Sequence, residues 1–128
     1  MWKNNMQSHK KEELSMPFID SKITVPVSKE KKEEIKAKLG QAITTLHKSE
    51  NYLMVGIESD YDLWMAGKKL EKGAYVSVSL FGNAAPEDYE RMTGKICEIL
   101  NQELGIPGSS VYVTYHPVSD WGWNGRNF

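Results

Sequence analysis

The dipeptide Met16-Pro17 contains the residue with the most unusual chemical potential in this sequence. Inside a chain, a proline nitrogen is an amide that carries no hydrogen and has no basicity. If translation starts at Met16, the methionine is removed because proline is small enough for that processing, and Pro17 becomes a free secondary amine. Such an amine is a base and a nucleophile, and its ring holds the lone pair in one direction. Pro17 is therefore a candidate catalytic base.

Residues 1–16 are expected to be a non-native or disordered extension in front of the domain. The first 15 of them are polar and charged, without apolar periodicity. Lys11-Glu12-Glu13 can be encoded as a bacterial ribosome-binding site, and Leu14-Ser15 leaves about the usual gap before a start codon. The alternative is a disordered tail on a longer protein. In that case Pro17 is an amide and cannot act as a base.

Length, charge and cysteine content limit the classes of function. A chain of 128 residues is large enough for one domain with a single core. The formal net charge of -1 argues against a nucleic-acid-binding surface. A single cysteine, Cys97, excludes an intrachain disulfide and a cysteine-rich metal site. No apolar run approaches the ~20 residues of a membrane span, and no secretory signal is evident, so we expect a soluble cytoplasmic protein without a membrane partner.

Four strands and two helices are predicted to form the frame of the domain. Alternating apolar residues predict strands at 18–25, 52–58, 74–81 and 111–115. Apolar residues at spacings of three and four predict amphipathic helices over 29–47 and 86–104. Residues 63–66 fit either a short strand or a single helical turn. Residues 67–73 read as a charged loop, and residues 121–128 as an aromatic tail.

The order of these elements contains a repeat. Strand, proline turn, helix, polar link and strand occur twice, which predicts an α+β fold with two βαβ units in one four-stranded mixed sheet. Both helices then lie on one face of the sheet. Apolar residues such as Leu53-Met54-Val55 are expected on both faces, so that a monomer exposes a large apolar surface. A closed symmetric oligomer would bury that surface.

Several short motifs stand in a characteristic order along residues 17–128. They are Met-Pro at the head, Lys48 with Tyr52 four residues on, Leu104-Gly105-Ile106 before Val111-Tyr112-Val113, and Gly122-Trp123-Asn124. In these motifs the chain resembles the macrophage migration inhibitory factor (MIF) family of the tautomerase superfamily. The resemblance implies a MIF-like domain over residues 17–128, assembled as a homotrimer with active sites at the subunit interfaces. It also implies cofactor-independent keto–enol tautomerisation of phenylpyruvate-like α-keto acids.

The resemblance implies a role for each candidate site residue. Pro17 is the general base, and aromatic burial together with a nearby ammonium lowers its pKa toward neutrality. Lys48 anchors the substrate carboxylate and stabilises the enolate, while the backbone N–H of Phe81 holds the carboxylate. Tyr112, from the neighbouring subunit, caps the pocket. The further substrate-binding candidates are Phe18, Tyr52, Thr114, Trp121, Trp123 and Phe128.

Some residues depart from the family pattern. Thr114 stands where the family commonly has an asparagine, and its hydroxyl is shorter and lacks the two amide donors, so substrate preference or rate is expected to differ. No cysteine stands in residues 73–78, so a disulfide-exchange role is not supported. Each assignment has a structural alternative: Lys48 as a surface lysine, Tyr112 as a half-buried strand residue, and the C-terminal aromatics as a strand packed on a neighbour.

Two functional hypotheses follow from these observations. The first is a tautomerase without a cofactor, which acts as a homotrimer on a small α-keto acid. The second is a non-catalytic MIF-like trimer, cytokine-like or ligand-binding, which gains weight if Met1 is the true start. A host receptor becomes a partner only if the protein is exported, and release by a non-classical route is the alternative to a purely cytoplasmic protein.

Overall fold

The computed structural model describes residues 16–128, so the extension predicted for residues 1–16 lies outside the described residues apart from Met16. The two α-helices are α1 (Lys29–Ala42) and α2 (Pro86–Leu104). The strands are β1 (Pro17–Ile23), β2 (Met54–Glu58), β3 (Trp64–Met65), β4 (Lys68–Lys69), β5 (Ala74–Phe81), β6 (Val111–Val118), β7 (Gly122–Trp123) and β8 (Arg126–Asn127). No helix in this part of the chain is long and apolar enough to span a lipid bilayer.

The main sheet has the strand order β2-β1-β5-β6. Strand β1 runs parallel to β2, and β5 runs parallel to β6, while β1 and β5 pair antiparallel in the middle. The predicted tandem βαβ repeat and four-stranded mixed sheet are therefore confirmed. In this register Pro17 lies opposite Leu80, near the end of β5.

Both helices pack on one face of this sheet, as the repeat predicts. Ile35 and Leu39 from α1 and Met92 and Ile96 from α2 are buried in one cluster with the inward-facing side chains of β1 and β5. Glu103 also joins the two helices, because its carboxylate accepts hydrogen bonds from the ammonium groups of α1 lysines at 2.5 and 3.2 Å. These lysines hold the pKa of Glu103 down, at about 2.

Helix α1 is shorter than its sequence pattern predicts. The α-helix ends at Ala42, a tighter 3₁₀ turn follows over Ile43–Leu46, and His47 adopts a left-handed conformation with φ 59°. This turn keeps the predicted apolar stripe, because Ile43 and Leu46 are fully buried. The glycine inside α1 has a packing reason, since a Cβ at Gly40 would overlap the carboxylate of Glu50.

Two small hairpins replace segments that the sequence left open or assigned to loops. Residues 63–66 form strand β3 rather than a helical turn, the charged loop contains β4, and the aromatic tail forms β7 and β8. Each hairpin has a two-residue turn with positive φ at both positions, Ala66-Gly67 and Asn124-Gly125. This is the turn geometry that matches the twist of tightly connected strands.

The sheet face away from the helices, here called the open face, is more polar than expected. Met54 and Tyr112 are exposed there at 68% and 65%. Between them the ammonium of Lys22 lies 3.4 Å from Asp20 and 3.5 Å from Glu58. Apolar and charged side chains thus alternate on this face, while the apolar neighbours of Met54 pack against the helix-covered core, and the extent of the apolar surface stays a prediction.

Candidate active site

Pro17 lies at the start of β1, next to an open cavity at that end of the sheet. The residue is almost completely buried, and it lines a cavity of about 700 Å³. Phe18, Tyr52, Trp121 and Trp123 line the same cavity. Its volume lies in the range of sites that hold small organic ligands. The structure thus brings Pro17 together with four of the predicted aromatic site residues.

Met16 fills the position directly in front of Pro17. It is 3% exposed, and its carbonyl oxygen accepts a hydrogen bond from the N–H of Phe81 at 3.1 Å. With Met16 attached, the nitrogen of Pro17 is an amide without basicity. Loss of Met16 would therefore release two groups side by side, the Pro17 amine and the Phe81 N–H donor.

Lys48 reaches the same end of β5. Its ammonium donates a hydrogen bond to the carbonyl oxygen of Phe81 at 3.3 Å. In an antiparallel pair the N–H and C=O of one residue face the same partner, so the Lys48 ammonium and the Phe81 N–H both lie on the side of Met16. Partial burial lowers the pKa of Lys48 below its ordinary value of 10.5. An anion placed where the Met16 carbonyl now lies would meet the Phe81 N–H donor, and the Lys48 ammonium is bonded to the carbonyl of that same residue.

The C-terminal aromatics form a connected wall beside the cavity. The ring of Trp123 lies edge-on to Tyr52 at 6.1 Å between centroids and stacks on Phe128 at 6.4 Å. Phe128 also contacts Phe81, with centroids 5.8 Å apart. Phe128 therefore supports the wall from behind, since it is not among the residues that line the cavity, whereas Trp121 and Trp123 face it directly.

Tyr112 and Thr114 do not join this group within one chain. They lie on β6 opposite Tyr75 and Ser77, whereas Leu80, the partner of Pro17, lies opposite Pro117 farther along β6. Tyr112 is largely exposed on the open face. A contribution of Tyr112 to the pocket therefore requires a second copy of the chain, and it stays a prediction.

The structure adds residues that the sequence did not single out. The Thr114 hydroxyl lies 2.7 Å from the Tyr75 hydroxyl and 2.8 Å from Nε2 of His116, so two neighbours already hold the group that replaces the family asparagine. Asn51 and Asp120 line the cavity and add polar groups to its aromatic wall. Their positions next to Tyr52 and Trp121 in the sequence were the available signal.

No group of three or more potential metal-ligating side chains gathers within residues 16–128. The polar groups near Pro17 are the Phe81 N–H, the Lys48 ammonium bonded to the Phe81 carbonyl, and the cavity-lining side chains of Asn51 and Asp120. The N–H and the ammonium are the donors that suit a small organic anion. The arrangement can bind a carboxylate next to a fixed nitrogen and pack an apolar group against indole rings.

Comparison with known proteins agrees with this geometry. A sequence model of the family described as macrophage migration inhibitory factor (MIF) matches residues 16–128. A MIF homologue from Trichinella spiralis is 29% identical over 85 residues, which cover 65% of this chain and 74% of that protein.

Solved structures give the same result. MIF2 from Leishmania major superposes with a TM-score of 0.83 at 30% identity, covering 89% of this chain and 98% of that one. A MIF homologue from Prochlorococcus marinus superposes with a TM-score of 0.73 at 27% identity, covering 87% and 98%. Because the family match spans the whole described domain and the sheet topology agrees, this chain belongs to the macrophage migration inhibitory factor family of the tautomerase superfamily.

Proposed function

We propose that this protein, once residues 1–16 are removed, is a cofactor-independent keto–enol tautomerase for phenylpyruvate-like α-keto acids. The observation that carries the proposal is that three groups gather where the start of β1 meets the end of β5, two of them linked through Phe81. These are the Pro17 nitrogen, the Phe81 N–H and the Lys48 ammonium. They lie beside a cavity of about 700 Å³ with indole walls, into which an aryl group fits.

In the proposed reaction, the Pro17 amine takes a proton from the carbon beside the ketone. The C–H electron pair becomes the new C=C bond, the carbonyl π pair moves to oxygen, and the protonated Pro17 returns its proton to that oxygen, which gives the enol and the free amine. Lys48 and the Phe81 N–H bind the substrate carboxylate, and the ammonium also stabilises the enolate as its charge develops. A cation this close disfavours protonated Pro17, which keeps the base free near neutral pH.

The full site is proposed to need a neighbouring copy of the chain in a homotrimer. Tyr112 lies too far along β6 to reach the Pro17 of its own chain, and it is exposed on the open face, where another copy can approach. A fused 4-OT structure described as a symmetric trimer has the same fold, with a TM-score of 0.76 at 19% identity. A trimer would bring an exposed Tyr112 to the pocket of its neighbour.

The direct test compares three proteins by the rate of phenylpyruvate enolisation. The first is expressed from Met16, the second is the full 128-residue chain, and the third carries Pro17→Gly in the short form. Glycine keeps a terminal amine but loses the fixed lone pair and the basicity of a secondary amine. We expect activity in the first protein only, with a loss of about 100-fold or more in the third.

Intact mass must show that Met16 is absent from the short protein before the rates are compared. The full-length chain is the matched control, because it has the same fold with Pro17 blocked. Equal activity of the full-length and short proteins would remove the Pro17 amine from the mechanism.

One observation favours the second candidate function, a non-catalytic ligand-binding or cytokine-like trimer. In the chain that retains Met16, the Pro17 nitrogen is an amide and the Phe81 N–H is already bonded. Proton abstraction then fails, while the aromatic cavity can still bind an apolar ligand. The mass of the protein isolated from its own cells separates the two functions, since a mass that retains residues 1–16 supports binding without catalysis. Engagement of a host receptor belongs to this second function and requires export.

A further inference from the structure

We propose that the contact between His47 and Asp88 positions Lys48 for the proposed reaction. In this role His47 and Asp88 are positioning residues, which act through Lys48 and do not touch the substrate. The inference rests on the proposed function for its kinetic consequence, but the placement of Lys48 can be measured independently of activity.

Asp88 is a carboxylate in an unusual position. It belongs to the first turn of α2, and its side chain is only 10% exposed. A carboxylate with so little contact with water needs charged or hydrogen-bonding partners. Arg91 from the same helix contacts Oδ1, and Nε2 of His47 lies 3.1 Å from Oδ2. Because a carboxylate only accepts, Nε2 must carry the proton in this contact.

The His47 contact differs from the Arg91 contact because it joins two distant parts of the chain. The residues are 41 positions apart, whereas Arg91 and Asp88 are one helical turn apart. His47 holds a left-handed φ of 59°, which is unfavourable for a residue with a Cβ. The hydrogen bond to a largely buried carboxylate helps to hold that conformation in place.

Lys48 follows directly, and its other neighbour is also held. Ser49 accepts a hydrogen bond from the N–H of Asn51 at 3.0 Å and so begins the next 3₁₀ turn. Between these two fixed residues, the Lys48 side chain extends to the carbonyl oxygen of Phe81. Phe81 and Asp88 lie at the two ends of the β5–α2 connection, so His47 and Lys48 contact opposite ends of one segment. Release of His47 therefore frees the backbone that aims Lys48.

The kinetic test uses chains expressed from Met16. His47→Gly suits the left-handed backbone while it removes the imidazole, and Asp88→Ala removes the acceptor. We expect each to raise KM for phenylpyruvate about tenfold and to lower kcat as well, because the ammonium that they misplace both anchors the carboxylate and stabilises the enolate. Asp88→Asn keeps an acceptor oxygen and should restore most of the affinity. Arg91→Gln, on the other carboxylate oxygen, is the matched control and should leave KM unchanged.

A double-mutant cycle separates positioning from a general structural effect. If His47 acts through Lys48, then His47→Gly should not raise KM further in a Lys48→Ala protein. An unchanged KM in His47→Gly, or an equal rise in both backgrounds, would overturn the inference.

A second measurement does not depend on catalysis. In NMR spectra of protein labelled with ¹³C at lysine Cε, the chemical shift of Lys48 should differ from those of exposed lysines. In His47→Gly it should become similar to theirs, whereas in Arg91→Gln it should stay distinct. If the parent shows this signal but no enolisation, the proposed function fails and the positioning stands. A Lys48 signal that is identical in the parent and in His47→Gly shows that the contact does not hold Lys48.

Discussion

At the scale of single residues, the site depends on how one ammonium group is solvated. Lys48 is partly buried, and removal of water from its ammonium lowers its pKa. The proposed carboxylate anchor works only while this group is charged. In the proposed mechanism the same charge disfavours a second cation on Pro17, so that one side chain would both bind the substrate and keep the base unprotonated.

This dependence gives a prediction for pH. As pH rises through the lowered pKa of Lys48, the ammonium loses its proton, and KM for phenylpyruvate should rise at a lower pH than an exposed lysine would require. Lys48→Arg keeps its charge throughout this range, so its KM should stay flat where that of the parent rises. Steady-state kinetics from pH 7 to about 10.5 measures both proteins.

Loss of the fold at high pH would not explain such a rise in KM. Burial penalises the charged form of Lys48 in the folded state, and deprotonation removes that penalty. The free energy of unfolding should therefore increase as pH rises from the folded-state pKa of Lys48 to its higher unfolded-state pKa. Identical KM profiles in the parent and in Lys48→Arg would show that another group titrates.

At the scale of secondary structure, two helical glycines show how tertiary contacts change local propensity. Gly94 in α2 is exposed, and a Cβ there would meet nothing within 4 Å. Gly40 in α1 is buried beneath Glu50, whose carboxylate occupies the place of a Cβ. Both residues are glycines inside a helix and have the same intrinsic helix propensity, but their surroundings differ.

Gly94→Ala should therefore raise the free energy of unfolding by about 1 kcal/mol, as expected for a solvated helix interior. Gly40→Ala should gain less or lose stability, because Glu50 must move. The double variant Gly40→Ala with Glu50→Ala should recover the gain, a non-additivity that denaturant titration can resolve. Equal gains at the two glycines would show that Glu50 does not restrict Gly40.

The elements themselves were largely visible in the sequence. Periodicity predicted the four main strands and both helices, and the repeat of strand, turn and helix predicted two βαβ units in one mixed sheet with the helices on one face. The strand order β2-β1-β5-β6 was not predicted. The change from α-helix to 3₁₀ turn after Ala42 was not visible, because the apolar spacing of the helix continues through Leu46. Neither hairpin was predicted. The Ala66-Gly67 turn of β3–β4 carries no strong hairpin signal, whereas the Asn124-Gly125 turn of β7–β8 carries one that the sequence analysis did not use.

The candidate site was visible only in part for a similar reason. The type and place of Pro17 and Lys48 can be read from the chain, together with the resemblance to a family. The hydrogen bond from Phe81 to Met16 depends on the register between β1 and β5. The hydrogen bond between Thr114 and Tyr75 depends on the pairing of β5 with β6. Such cross-strand relations have no local signal in the sequence.

At the scale of the whole molecule, the open face determines whether the site is complete. It carries exposed Tyr112 and Met54 among charged and hydroxyl side chains, so it suits a specific, partly polar contact between copies. Pro17 and Tyr112 lie toward opposite ends of the sheet in one chain. In the proposed homotrimer, a site shared between copies would bring them together.

Mixing two inactive variants tests this arrangement. Pro17→Gly lacks the base and Tyr112→Ala lacks the proposed contribution from the neighbour, so each homotrimer should have low activity. In an equal mixture that is unfolded and refolded together, about one quarter of the sites would combine an intact Pro17 with an intact Tyr112 from the next copy. Activity of the mixture should rise toward that fraction of the parent value. Simple mixing without refolding is the control, and a refolded mixture no more active than the mean of its parts would place Tyr112 outside the site.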